Sequence, residues 1–172
     1  MIVIRFFLAV VIFASLGGCA SFGIFNATRL SSQTNDVEVT GIVVSKGARR
    51  MYFFDHGTLV RSYRISLGSS PVGDKKIEGD GKTPEGLYRI DRKNPNSKYF
   101  LSLGISYPNK SDIAEARTLG QSAGGDIFIH GEDQKPNFFK RDWTAGCIAV
   151  RNNEMQEIYR IVEVGTPIQI NP

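Results

Sequence analysis

The chain has 172 residues, 41% of them hydrophobic, and 21 basic against 17 acidic side chains for a net charge of +4. That is enough apolar material for one ordinary core, and no repeat or low-complexity tract divides it. The basic residues come in scattered pairs such as Arg49-Arg50 and Lys75-Lys76, without the clustered stripe or module that nucleic-acid binding requires, so that class is excluded.

Residues 1–18 carry one positive charge, Arg5, then an apolar run from Phe6 to Leu16 and small residues before Cys19. This is the anatomy of a secretory signal, and the run is shorter than the roughly 20 residues a bilayer span needs. Leu16-Gly17-Gly18-Cys19 resembles a bacterial lipobox. The resemblance implies that Cys19 is the acylated first residue of the mature protein and holds it to a membrane. Ala20, rather than Asp, follows, which by the same likeness implies the periplasmic face of a Gram-negative outer membrane. Residues 19–36, rich in Ser, Asn and Thr, read as a flexible tether. Residues 37–172 read as one globular domain.

Within that domain, residues 37–45 and 49–54 hold β-branched and aromatic residues in partial alternation. Asp55-His56-Gly57 is a turn signal, and residues 58–67 resume the alternation, which predicts a meander of short antiparallel strands. Residues 68–74 and 78–84 are turn chemistry. Further strands are expected over residues 86–90, 99–103, 105–107, 126–130, 146–150 and 167–170. A short helix is expected from Ser111 to about Arg117. A second starts at a cap on Asn152 or Asn153, with Met155, Ile158, Tyr159 and Val162 on its inner face, and ends at Gly165. Gly79-Asp80-Gly81 is a poor phosphate loop, because Thr83-Pro84-Glu85-Gly86 leads into a strand and not a helix.

Two cysteines and two histidines carry the candidate chemistry. A thiol near pKa ≈ 8.5 is only a few per cent ionised at neutrality, so a nucleophilic cysteine needs a neighbouring base. His56 lies in a turn, where a solvated side chain is expected. His130 closes the apolar run Ile127-Phe128-Ile129 and precedes Gly131, at a strand end that opens into a loop. Cys147 follows Gly146, whose tight backbone brings N–H groups toward a substrate oxygen as an oxyanion hole. Thr144 is placed to bond either the imidazole or the loop backbone. A buried inert cysteine and a satisfied histidine fit the same pair of residues.

Taken together, Ile127-Phe128-Ile129-His130-Gly131, Thr144-Ala145-Gly146-Cys147-Ile148, Asn152 and Gly165-Thr166-Pro167-Ile168 resemble the L,D-transpeptidase catalytic domain, the YkuD-type family. Gly79-Asp80-Gly81-Lys82-Thr83-Pro84-Glu85-Gly86-Leu87-Tyr88 extends the likeness, which covers residues 37–172. It implies a mainly β fold, a sandwich or partly open barrel of short mixed strands with one or two helices. It also implies Cys147 as nucleophile, His130 as general base and acid, and the Gly146 backbone as oxyanion donor. Gly131, Thr144, Trp143, Asp142 and Asn152 are implied as supporting residues. The reaction implied is acyl transfer on peptidoglycan stem peptides, with no cofactor and no metal. Many members carry a second histidine where Ala145 stands and an arginine where Ala149 stands; Asp142, Trp143 and Arg151 are candidates to compensate.

Three other readings follow from the same residues. A thiol hydrolase, an amidase or carboxypeptidase, would use the same pair. A zinc peptidase would need an irregular set from His130, Cys147 and Glu132 or Asp133, short of the usual histidine-rich site. A wall-binding lipoprotein without catalysis is the reading from a different class.

Overall fold

The computed structural model describes residues 37–132 and 141–172. The expected signal, the expected lipid-attachment residue Cys19, the expected tether and Asp133 lie outside the described residues.

Eight strands form one mixed sheet in the order β3-β2-β1-β8-β4-β5-β6-β7. Alternation builds its first half. In β1 (Gly41–Ser45) Ile42 and Val44 point inward, and in β2 (Arg50–Asp55) Met51 and Phe53 do so, the period of two expected of a strand with one buried face. β1 pairs antiparallel with β2, which pairs antiparallel with β3 (Thr58–Arg64) across the turn at His56-Gly57. On its other side β1 runs parallel to β8 (Pro167–Asn171), whose Ile168 and Ile170 join the same core. β8 is antiparallel to β4 (Gly86–Ser97).

The second half carries the site. β4 forms a hairpin with β5 (Phe100–Ile105), β5 pairs antiparallel with β6 (Phe128–His130), and β6 runs parallel to β7 (Ile148–Ala149). The chain leaving β3 then meets the far edge. Ser66 and Ala149 exchange both backbone hydrogen bonds at 2.9 Å, and Thr144 N–H donates to Leu67 O at 3.1 Å. The two edges are therefore joined, and the sheet curls into the partly open barrel that removes exposed edges.

Helix α1 (Lys110–Thr118) is capped by Asn109, whose side chain accepts from Ser111 and Asp112 N–H while Asp112 accepts from Asn109 N–H, a reciprocal capping box. Helix α2 (Asn152–Ile161) packs against β5 and buries Met155 and Ile158 completely. Its cap is not an asparagine as expected. Arg151 holds the cap position, with its N–H donated to Glu154 Oε2 at 3.0 Å; the Asn152 side chain is engaged elsewhere. β4 continues well past Ile90, because its polar second half is held by backbone pairing with β5 and needs no inward face. Two expected strands around Gly104 are one, β5.

The glycine-rich loop before β4 closes on its own carboxylate. Asp80 accepts N–H groups of Lys76, Ile77 and Lys82 at 2.8–3.1 Å and the Lys75 ammonium at 2.9 Å. Burial opposes ionisation of Asp80, but these donors hold its carboxyl below the usual range. The amides a phosphate would need are thus already used. A buried lysine, Lys46, ties the same loop to the end of β1 by donating to Gly73 O, Thr83 O and Glu85 Oε1 at 2.6–2.9 Å.

Candidate active site

His130 ends β6, flanked by Ser102 of β5 and Ala149 of β7. Paired residues of parallel strands face the same way, so His130 shares a face with Ala149, while Ile129 and Ile148 fill the core behind. Cys147 lies two residues before Ala149. Continuing the β7 register, it stands beside Phe128 on the face that bears the imidazole. Ideal strand spacings put this diagonal at about 8 Å between Cα atoms.

The imidazole is 3% exposed and enclosed by aromatic rings. Tyr99, at the tip of the β4–β5 hairpin, stacks on it at 4.6 Å and 27°, and Trp143 meets it edge-on at 5.7 Å. Nδ1 lies 2.6 Å from Gly131 O. A carbonyl only accepts, so Nδ1 bears the proton of the neutral ring and Nε2 keeps its lone pair. Gly131 N–H in turn donates to Tyr99 O at 3.0 Å, and a Cβ at Gly131 would run into Asn152 Oδ1 and come within 2.9 Å of Tyr99 O. Asn152 Oδ1 accepts Glu132 N–H at 2.8 Å. Gly131 and Asn152 therefore position the loop leaving the histidine.

The turn before Cys147 is built by Thr144. Its hydroxyl donates to Cys147 O at 2.7 Å and accepts Gly146 N–H at 3.1 Å, so it bonds the loop backbone and not the imidazole. Gly146 has φ 137, and a Cβ there would lie 2.6 Å from Lys82 O; only glycine fits this corner. Its own amide, expected to serve as an oxyanion donor, is committed to Thr144 Oγ1. Among the described residues, the N–H groups of Ala145 and Cys147 have no acceptor.

Asp142 is an anchor rather than a substitute for a missing pocket residue. Its carboxylate takes the Arg49 guanidinium at 2.9–3.1 Å and Leu67 N–H at 3.0 Å, clasping the turn to the strand continuation that closes the barrel. Asp142→Ala should cost about 2–3 kcal/mol of stability, since it leaves the Arg49 guanidinium with only Lys46 O and the Leu67 amide unpaired; urea denaturation reads this directly. Arg151 is exposed and engages the helix start through its backbone. His56 is exposed beside Asp55, whose carboxylate, by hydrogen bond and charge, raises its pKa, and takes no part in the site.

Cys147 is half-buried, and its Sγ lies 3.5 Å from Asp126 O. Among the described residues no hydrogen bond joins it to His130. Burial pushes the thiol pKa up, with a backbone bond from Phe128 opposing and the Asp126 charge adding. Burial pushes the His130 pKa down, against the Gly131 bond. Each shift by itself favours the neutral form of its group. Alkylation of Cys147 by iodoacetamide should therefore keep accelerating above pH of about 8.5; a rate already level below pH of about 6 would show a standing thiolate.

Sequence reasoning missed Tyr99, Arg49 and Lys46. Nothing local marks them: each acts on a segment far along the chain. Among the described residues no group of three or more His, Cys, Asp or Glu side chains converges as a metal site.

The model of the L,D-transpeptidase catalytic domain, YkuD, matches residues 40–170. YafK of Escherichia coli strain K12 is 32% identical over 106 residues, which cover 60% of this chain and 37% of YafK. The helical cell shape determining protein Pgp2 of Campylobacter jejuni superimposes with a TM-score of 0.62 at 31% identity, over 77% of this chain and 47% of Pgp2. An L,D-transpeptidase variant of Enterococcus faecium shares the fold alone, with a TM-score of 0.52 at 20% identity over 78% of this chain and 50% of that one. The chain thus spans half or less of each of these relatives. With its mixed sheet, its glycine corner and a family match over most of its length, the chain belongs to the L,D-transpeptidase catalytic domain family.

Proposed function

We propose that this domain transfers an acyl group from a peptidoglycan stem peptide through a thioester on Cys147. The observation that carries the reading is the position of His130 at the end of β6, next to the β7 strand that Cys147 immediately precedes, with Nδ1 held by Gly131 O so that Nε2 keeps its lone pair. Turning Cys147 Sγ from Asp126 O toward Nε2 prepares the attack, and catalytic hydrogen bonds commonly tighten only when substrate binds.

In the first step Nε2 takes the thiol proton as sulfur attacks the carbonyl of the third stem residue, meso-diaminopimelate by likeness to the family. The S–C bond forms, the C–N bond to the terminal D-alanine breaks, and His130 gives the proton to the leaving amine. The N–H groups of Cys147 and Ala145 face the developing oxyanion. Tyr99 stacked on the ring stabilises the transient imidazolium by a cation–π contact, offsetting the burial that disfavours charge. In the second step an acceptor amine attacks the thioester, forming a new amide and releasing the sulfur.

Incubation with tetrapeptide muropeptides, read by product masses, tests this. Dimers are the expected result. Trimmed monomers would make the protein a hydrolase on the same thioester, and unchanged substrate would leave a non-catalytic wall-binding protein. Residues 1–18 as signal and Cys19 as lipid anchor belong to the same proposal, with the outer membrane as address: Cys19→Ala should move the protein from the membrane fraction to the soluble one.

A further inference from the structure

We infer that the outer face of β3-β2-β1-β8-β4 docks on an anionic phospholipid surface and turns the catalytic strands away from it. The inference goes beyond the proposed acyl transfer and does not depend on it.

Strand register places two arginines side by side on this face. Ile65 N–H donates to Arg49 O at 3.1 Å. The next pair along, Arg50 and Arg64, therefore holds a non-hydrogen-bonded position, where Cα atoms stand about 4.5 Å apart and side chains are closest. Their neighbours Met51 and Tyr63 are buried in the core, so both guanidinium groups point outward. Like charges directly opposite destabilise a sheet. Arg49 is paired with Asp142, but among the described residues Arg50 and Arg64 meet no carboxylate. Ser45 and Asn171 continue their row across β1 and β8.

The next row sets Ser62, Tyr52, Val43, Gln169 and Leu87 across all five strands, a width of about 19 Å at ordinary strand spacing. Leu87 is 66% exposed, and Leu59, paired with Phe54, is 52% exposed. Arg89 adds a third cation, and no outward position of β3, β2, β1, β8 or residues 86–89 of β4 holds a carboxylate. Among the described residues no helix covers the face: α2 sends Met155 and Ile158 into the core, and α1 meets the core residue Tyr88 through Asp112.

This combination selects the occupant. Guanidinium forks match phosphate groups, while a tyrosine and exposed leucines suit the boundary between headgroups and acyl chains. A soluble anionic polymer would engage the arginines and leave the leucines in water. With the sheet edges joined through Ser66 and Ala149, β1 and β6 stand four places apart in either direction around the barrel. A membrane against β1 therefore leaves β6, with His130, on the opposite side. A lipid on Cys19, as proposed above, would keep the domain near a bilayer; the face decides which side is presented to it. By itself the face binds reversibly, as single attachments do, and does not hold an unanchored chain in washed membranes.

The test is co-sedimentation of the full chain carrying Cys19→Ala with vesicles of phosphatidylcholine alone or mixed with phosphatidylglycerol. The chain should prefer the phosphatidylglycerol vesicles at low salt and be released as salt rises. Arg50→Ala with Arg64→Ala should weaken that binding by about 25-fold, about fivefold for each arginine near an anionic surface. Lysine at both positions should keep most of it, and Leu87→Asn should weaken it without changing its salt dependence. The double alanine variant should keep its Tm, because a like-charge pair is relieved, and should keep the parent's turnover of soluble muropeptides. Equal binding to the two vesicles, or a double alanine variant that binds like its parent, overturns the inference. Binding to purified sacculi but not to vesicles would overturn it in favour of a wall polymer, and a dimer dissociated by Leu87→Asn in favour of a second copy. A parent chain that prefers the anionic vesicles yet turns over no muropeptide would sustain the docking face and sink the acyl-transfer reading instead.

Discussion

Cys147→Ala should reduce consumption of a tetrapeptide donor by at least about 10⁴-fold, to the level of the buffer blank. Removing the attacking atom removes the covalent route entirely, and losses of this scale are typical of nucleophile deletion. The fold should survive the change, because Cys147 is half-buried and its thiol is held by a long contact to Asp126 O and a backbone bond from Phe128, neither of which carries a charge. Unchanged thermal unfolding beside lost turnover separates chemistry from structure. Cys147→Ser, with a far less acidic hydroxyl, should recover only a trace. Donor depletion followed by liquid chromatography measures all three proteins on one scale.

His130→Ala should lower turnover by about 10²–10⁴-fold, the usual range for losing a positioned general base. The pH dependence carries its signature. Burial lowers the imidazole pKa, so the base is already unprotonated through the neutral range; burial raises the thiol pKa, so the sulfur keeps its proton there. Wild-type activity should therefore be sustained at neutral pH by proton transfer during attack. In His130→Ala the residual activity should climb steeply with pH as hydroxide replaces the base. Equal pH profiles for the two proteins would remove His130 from the mechanism. Because the ring is packed between Tyr99 and Trp143, His130→Gln, which keeps more of that volume, is the companion variant for stability.

Much of the fold was legible because the sheet has one buried face: Ile42, Val44, Met51 and Phe53 alternate in the sequence as they do in the core. Helix α2 announced its inner face through Met155 and Ile158 for the same reason, although it ends at Ile161, short of Gly165, with Val162 extended and buried just beyond it. Its first residue was misread because Asn152 is a good cap in isolation, and only the folded chain brings Glu132 N–H to its side chain. Cys147 and His130 stood out because glycines flank them at positions where backbone must turn or pass closely. What surrounds them was hidden. Tyr99 reaches the imidazole only once the β4–β5 hairpin is formed, and Arg49 meets Asp142 across 93 residues of sequence. The Gly146 amide was expected to face substrate, but Thr144 captures it. That hydrogen bond forms only with the turn's three-dimensional closure.

Everything proposed for catalysis hangs on sulfur bearing the donor's acyl group, and a rapid acid quench can look for it. Stoichiometric wild-type protein mixed with tetrapeptide donor and stopped within milliseconds should gain the mass of the donor less D-alanine, localised by peptide mapping to Cys147 and released by hydroxylamine. Donor that is consumed through the first turnover with no mass added to the protein would contradict the account.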